Sequence, residues 1–433
     1  MNLPEKYNYL EMHNEFEQAL TLITTTNKNL FITGAAGCGK TELIKLLSDK
    51  AVYNHATIVA CPTGIAAVNA STEGVRAQTL HSLFKLPPMG IIPVDKLRVF
   101  EDKTEMFKNL HTLIIDEVSM VNSDLLTKIV FLLNQYRNGK PIRYIVFGDL
   151  SQLAPIVSSQ AEQSYLNDTY GSRFFFNTDL FKTMQVVQLT KIFRQKDPEF
   201  KAVLNRIRFK QQTLADMHYL NCRTMDIDDF KNEKPFIYIA LTNRTVNEIN
   251  TREVAVNSNK SYFYHGINNY YPVKDTPVPE ILELKKDVQI MLTANNYKTG
   301  YFNGQLGTIV RLEKNTIWVE SNDETFTVDP FTWQKYKYEY DASSKSIVVK
   351  TVGNYTQFPV KIGYAITSHK AQGLTLERVY LDLERGTFAS GQLYTALSRV
   401  RSIEGLGLAR SITNRDNKLS AQIKKFYKKH KIT

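Results

Sequence analysis

Gly34-Ala-Ala-Gly-Cys-Gly-Lys40-Thr41 decides how this 433-residue chain is to be read. The stretch matches G-x-x-x-x-G-K-[ST] at every fixed position, and its flanks suit it. Leu30-Phe-Ile32 is a short apolar run that predicts a buried strand, and Thr41–Ser48 carries apolar residues at helical spacing. Glycines Gly34, Gly37 and Gly39 let the backbone curl so that several N–H groups point inward, and the helix start adds positive potential there. Lys40 is expected to reach the β- and γ-phosphates of a nucleotide, and the Thr41 hydroxyl to ligate Mg²⁺.

Further along, Leu113-Ile-Ile-Asp116-Glu117 predicts a hydrophobic strand that ends in two adjacent carboxylates. At the carboxyl edge of a parallel sheet they would face a ligand in the phosphate loop, Asp116 holding Mg²⁺ and Glu117 activating water. Gly148-Asp149-Leu-Ser-Gln152 follows the next strand and offers Gln152 as a γ-phosphate sensor. Two arginines, Arg194 in Phe-Arg-Gln195 and Arg399 in Tyr394-Thr-Ala-Leu-Ser-Arg399, are candidate fingers for the transferred phosphoryl group. Such a group is worth about 10³–10⁵ in rate.

Unalternating apolar runs at residues 57–60, 113–115, 144–147 and 186–189 suit a parallel sheet covered on both faces. A second set at 236–241, 364–366 and 379–383 predicts a second α/β core. The expected domains are 1–185, with a small excursion at 74–110; then 186–254 together with 359–415; and a β-rich insertion at 255–358. Lys424-Lys-Phe-Tyr-Lys-Lys-His-Lys431 is expected to be a solvated, frayed basic tail within 416–433.

The net charge of +11 is compatible with a polyanionic partner. Three cysteines, Cys38, Cys61 and Cys222, have no metal-ligand spacing, which argues for a reducing compartment and against a disulfide framework. No apolar run of 18 residues is present, so no membrane span is expected. Early glutamates at 5, 11, 15 and 17 do not suit a leader, so a cytoplasmic protein is expected.

Taken in order, these motifs resemble those of superfamily-one helicases, with Ser368-His-Lys-Ala-Gln372-Gly373 among them. Cys61-Pro-Thr-Gly-Ile-Ala-Ala67, Thr79-Leu-His-Ser-Leu-Phe84, Ser119–Leu126 and Asn303-Gly-x-x-Gly307-Thr308 resemble, more narrowly, the Pif family of DNA helicases, over residues 15–410. The resemblance implies an α/β fold with two RecA-like cores, a wedge-like excursion and an SH3-like insertion, and ATP with Mg²⁺ as cofactors. It implies 5′-to-3′ movement on single-stranded DNA and at single-strand/duplex junctions, by a minimal bacterial or phage-like enzyme. A monomer is expected without DNA, and the oligomeric state on DNA stays open. Lys40, Glu117, Gln152, Arg194 and Arg399 fall on its catalytic positions, and Gln372 and Gly373 on its nucleotide closure. Gln18 falls on its adenine-reading glutamine. Thr63, His81, Thr242, Asn243, His369 and Lys370 fall on DNA contacts, and Phe84 with the Pro87–Met89 turn on a duplex-splitting wedge. Two positions depart from the pattern: Cys38 stands where threonine is usual, and Ala154 where proline is common. A translocase that strips proteins or acts on RNA, and an inactive single-strand-binding module, remain alternatives.

Overall fold

The computed structural model describes residues 14–71, 76–86, 93–157, 159–231, 235–273, 276–296, 299–301, 303–321, 323–341, 343 and 346–433. It divides into two compact units, residues 1–193 with 336–350 and 421–433, and residues 194–335 with 351–420.

The first unit is built on six parallel strands: β1 Asn29–Gly34, β2 Thr57–Cys61, β3 Ala77–Thr79, β4 Thr112–Ile115, β5 Arg143–Gly148 and β6 Met184–Leu189. Their order is β3-β2-β4-β5-β1-β6. The apolar runs are strands because both faces are covered. On β1, Leu30 and Ile32 pack with Phe16, Leu20, Leu43 and Leu47 on one face. Phe31 points the other way, its ring 5.1 Å from Phe175 and 6.1 Å from Phe426.

Three expectations are corrected here. Residues 186–189 do not open the second core, because β6 pairs with β1 in register from Asn29↔Met184 to Gly34↔Leu189. Nor is 74–110 wholly an excursion, since β3 forms the sheet edge against β2. The basic tail is a folded helix, Ala421–His430, with Ile423, Phe426 and Tyr427 buried and its lysines facing out. Apolar residues at helical spacing within the lysine run give it one face to bury, and that face outweighs fraying.

The Ser119–Leu126 segment serves packing. Asn122 caps the helix Ser123–Tyr136 by accepting from the Leu125 amide at 2.7 Å. Asp124 pairs with Lys128 at 2.5 Å and accepts from the hydroxyls of Tyr165 and Tyr170, each at 3.1 Å.

The second unit has four parallel strands in the order Ala365–Thr367, Ile237–Ala240, Val379–Leu381, Leu406–Leu408. The last is absent from the sequence-based expectation. Between the first two in sequence lies a five-stranded antiparallel sheet, ordered Glu324–Val328, Ile317–Ser321, Leu306–Leu312, Gln289–Leu292, Val360–Ile362. Its closing strand carries the β-rich region to residue 362. Gly307 is required there, because a Cβ would lie 2.3 Å from Val319 Cγ1.

Candidate nucleotide and nucleic-acid sites

In the first sheet β4, β5 and β1 are neighbours and all run parallel. Their carboxyl ends therefore deliver Asp116-Glu117, Gly148–Gln152 and the phosphate loop side by side. Open parallel sheets bind ligands at that edge.

Gly37 and Gly39 adopt φ of 80° and 89°, and Gly39 is the left-handed cap of the helix Lys40–Ser48. A Cβ on Gly34 would lie 2.5 Å from the Leu189 carbonyl oxygen of β6, so only glycine fits that exit. The Lys40 ammonium donates to the carbonyls of Gly34 at 2.8 Å and Ala35 at 2.9 Å, and lies 3.5 Å from Cys38 Sγ. Cys38 is fully buried, so the thiol that replaces the usual threonine packs inside the loop. Thr41 is exposed in the first turn of the helix.

Motif reading passes over Phe16 and gives Phe193, the first residue of the Phe-Arg-Gln195 motif, no role. Their rings lie 3.6 and 3.9 Å from the position a Gly39 Cβ would take, and the Phe193 amide donates to the Gly37 carbonyl at 2.9 Å. Their only sequence signal is aromatic residues close to Gln18 and Arg194. Gln18 itself lies on the exposed side of the helix Asn14–Thr25.

The Asp116 amide donates to the Ala60 carbonyl of β2, and its carboxylate accepts from the Glu117 amide at 2.8 Å. Burial, and then the Glu117 charge, push the Asp116 carboxyl up to about 7, against the pull of that amide and of Lys40. The same two carboxylates, added to burial, raise the Cys61 thiol. Glu117 has φ of 50° and ψ of 41°. A left-handed non-glycine residue costs about 1–2 kcal/mol and persists where its surroundings hold it. Gly148 allows that hold, since a Cβ there would sit 3.0 Å from Val118 Cγ1 and 3.1 Å from the Ser119 amide nitrogen. Gln152, 4% exposed, donates its amide to the Asp149 carbonyl at 3.0 Å.

In the second unit, Arg194 donates to the Ser398 carbonyl at 3.0 Å, and Gln195 to the carbonyls of Ser398 and Val400 at 3.2 and 2.8 Å. Arg399 is 1% exposed, donating to the Thr395 carbonyl at 2.9 Å and the Ser398 hydroxyl at 2.8 Å. A more distant bond to the Leu374 carbonyl, at 3.4 Å, ties Arg399 to the Gln372-Gly373 turn. Gly373 adopts φ of 84°, and the Gln372 amide donates to the His369 carbonyl. The two arginines thus meet at Ser398, although 204 positions separate that residue from Arg194.

The nucleic-acid candidates of each unit also lie just past strand ends. Thr63 follows β2, its hydroxyl accepting from the Ala66 amide at 3.1 Å, and His81 follows β3 next to it. Thr242 caps the helix Asn243–Ala255, and Thr245 beside it donates to Glu384 at 2.8 Å. Asn243 and Lys370 are exposed. His369 is held below its usual range by burial, so its ring is neutral near pH 7. Lys361, which no motif singles out, is pushed down to about 8 by burial and by the Lys370 charge.

Phe84 requires correction. Its ring is 1% exposed and stacks on Phe107 at 5.0 Å, so it serves packing and presents no face to a base pair. The Pro87–Met89 turn lies outside the described residues. Among the described residues, no cluster of three His, Cys, Asp or Glu could hold a metal, and no helix is long and apolar enough to cross a membrane.

A phosphate loop on a parallel sheet, flanked by a carboxylate pair and a polar sensor turn, defines a P-loop nucleoside triphosphatase. The second parallel sheet gives it the two-core, RecA-like architecture of helicase motors. A profile described as an AAA domain matches residues 12–224. The ATP-dependent DNA helicase Pif1 of Bdellovibrio bacteriovorus is 30% identical over 92% of this chain and 88% of its own. A Bacteroides Pif1 in complex with ADP-AlF4 superposes with a TM-score of 0.87 at 34% identity, covering 98% of this chain and 97% of that one. The Bacteroides Pif1 complex with ADP-AlF3 and single-stranded DNA gives 0.69 at 35% identity, over 98% of both chains. This chain belongs to the Pif1 family of ATP-dependent DNA helicases and hydrolyses ATP.

Proposed function

We propose that the chain moves 5′-to-3′ on single-stranded DNA and opens the duplex it meets at a single-strand/duplex junction. The observation that carries this reading is the convergence of the phosphate loop, Asp116-Glu117 and Gln152 on three neighbouring strand ends in a Pif1-family chain. The DNA complex of the Bacteroides relative supports single-stranded DNA as the track.

In this mechanism Lys40 exchanges the carbonyls of Gly34 and Ala35 for phosphate oxygens, which carry the stronger negative charge. Glu117 takes a proton from the attacking water, and its fixed left-handed backbone sets the direction of its carboxylate. Gln152 orients that water or the γ-phosphate, while Arg194 and Arg399 supply positive charge to the transferred phosphoryl group. Arg399 must give up backbone acceptors to do so. Gln18 reads the base, and Gln372 and Gly373 complete the nucleotide's contacts.

Magnesium fits the residues present. Asp116 is a buried carboxylate whose charge burial disfavours, and Thr41 adds a hydroxyl. One or two protein oxygens beside nucleotide phosphates suit that ion, which when bound would offset phosphate charge.

Thr63, His81, Thr242, Asn243, His369 and Lys370 would hold phosphate or sugar without reading bases. Opening one base-pair step costs about 0.6–2.2 kcal/mol, within reach of one ATP per step. The test is ATP-dependent strand separation on duplexes carrying a 5′ or a 3′ single-stranded tail. Opening confined to the 5′-tailed duplex is expected. Opening confined to the 3′ tail overturns the polarity, and ATP hydrolysis without opening of either points to a translocase.

A further inference from the structure

We propose that Tyr427, on the C-terminal helix of the first unit, is a positioning residue for ATP hydrolysis, its hydroxyl fixing the Gly148–Gln152 turn and with it the Gln152 side chain. The inference rests on the assignment of Gln152 to the γ-phosphate or the attacking water made above.

Tyr427 is 4% exposed, and its hydroxyl lies 2.9 Å from Ser151 Oγ and 3.5 Å from Asp149 Oδ1, to which it donates. The same carboxylate oxygen accepts from the Ser151 amide at 3.1 Å. The Asp149 carbonyl in turn accepts from the Gln152 amide at 3.0 Å. One phenol thus bonds two residues of the turn, and one of those two holds the backbone of Gln152. Asp149 and Ser151 are 0% and 1% exposed, so water has little access to replace the phenol if it is removed.

The hydroxyl is held from outside the turn. Phe426, the neighbouring residue, packs 4.7 Å from Phe176 and 5.4 Å from Phe181, ring centre to ring centre. Gln422 accepts from the Ser172 hydroxyl, and the Thr433 amide donates to Gln188 of β6 at 3.1 Å. The helix is therefore fastened near its start, along its buried face and beyond its end. A post set by those contacts can restrain a turn that would otherwise move when the nucleotide changes state. Misplacing a group that acts in the transition state lowers kcat more than it weakens ground-state binding.

Tyr427→Phe keeps the ring and deletes only the hydroxyl. Using the full chain, DNA-stimulated ATP hydrolysis, affinities for ADP and for ADP–aluminium fluoride, and thermal unfolding would be measured. The expected result is a kcat reduced about five-fold, the rate equivalent of one neutral hydrogen bond. ADP–aluminium fluoride should weaken by a similar factor, with KM for ATP and ADP affinity held within about two-fold. Ser151→Ala, which removes the other partner, should show the same split. In a Gln152→Ala background, Tyr427→Phe should cost no further rate, because the two act as one unit. If Gln152→Ala alone leaves kcat intact, the assignment of Gln152 fails and takes this proposal with it. If Gln152→Ala slows hydrolysis but Tyr427→Phe lowers only the melting temperature, or its rate effect multiplies with that of Gln152→Ala, the tyrosine is structural. Only the present proposal is then overturned.

Discussion

Replacing Asp116 by asparagine should abolish ATP hydrolysis and, in the same molecule, make the first unit more stable at pH 8. The carboxyl of Asp116 is pushed from 3.8 to about 7, chiefly by burial and next by the Glu117 charge. A carboxyl raised in the folded state is easier to ionise in the unfolded chain. The wild-type fold therefore loses stability as pH rises from about 4 to about 7, and carries the whole penalty above that. Three units at 1.36 kcal/mol each set a ceiling of about 4 kcal/mol. The residue is still 9% exposed, and solvent screening there brings our expectation to about 2 kcal/mol. Asparagine keeps an oxygen for the Glu117 amide, which the carboxylate accepts at 2.8 Å, so little else is lost. For a unit of this size the gain corresponds to a melting temperature higher by about 4–8 °C. Thermal unfolding of wild type and Asp116→Asn, without nucleotide or magnesium, should be compared at pH 8 and pH 4. A difference that shrinks strongly at pH 4, where the carboxyl of the unfolded chain is also becoming protonated, is the expected result. Equal differences at the two pH values, or a variant less stable at pH 8, would refute the electrostatic reasoning.

Two further outcomes are expected. Lys40→Ala should abolish ATP-driven strand separation while leaving single-stranded DNA affinity within about two-fold, as read by fluorescence anisotropy; loss of DNA binding as well would mean that the fold had been damaged. Phe84→Ala should destabilise the first unit by about 3–5 kcal/mol in urea denaturation, because it empties a stacked core position; unwinding lost with stability intact would restore the wedge reading of that ring.

Much of the candidate site is legible from local chemistry alone. The phosphate loop needs glycines at left-handed φ and a helix start, and Asp116-Glu117 needs only a strand to end on; both signals lie within a few residues. Phe84 shows the limit of such reading. A phenylalanine beside a Pro-Pro turn suits a wedge or a core equally well, and its partner Phe107 lies 23 positions away, in a helix whose approach no local pattern announces. The C-terminal lysine run misleads for a related reason: charge density dominates its composition, while Phe426 and Tyr427 find a buried surface only after β1, the Phe176–Phe181 segment and the Gly148–Gln152 turn are assembled.

The sequence by itself determined which chemistry the chain can perform, because phosphate cradling, metal ligation and proton abstraction depend on residue types at short, fixed spacings. Tertiary structure alone decided which of those groups share a sheet edge. The order β4-β5-β1-β6 is set by long-range strand pairing, and it places three motif loops together while giving β6 to the first core. The same long-range packing brought Arg194 to the Ser398 carbonyl, across 204 positions of chain, and the Tyr427 hydroxyl to Ser151, across 276. Such contacts are fixed by burial and pairing energies summed over whole elements, which no short window of residues records.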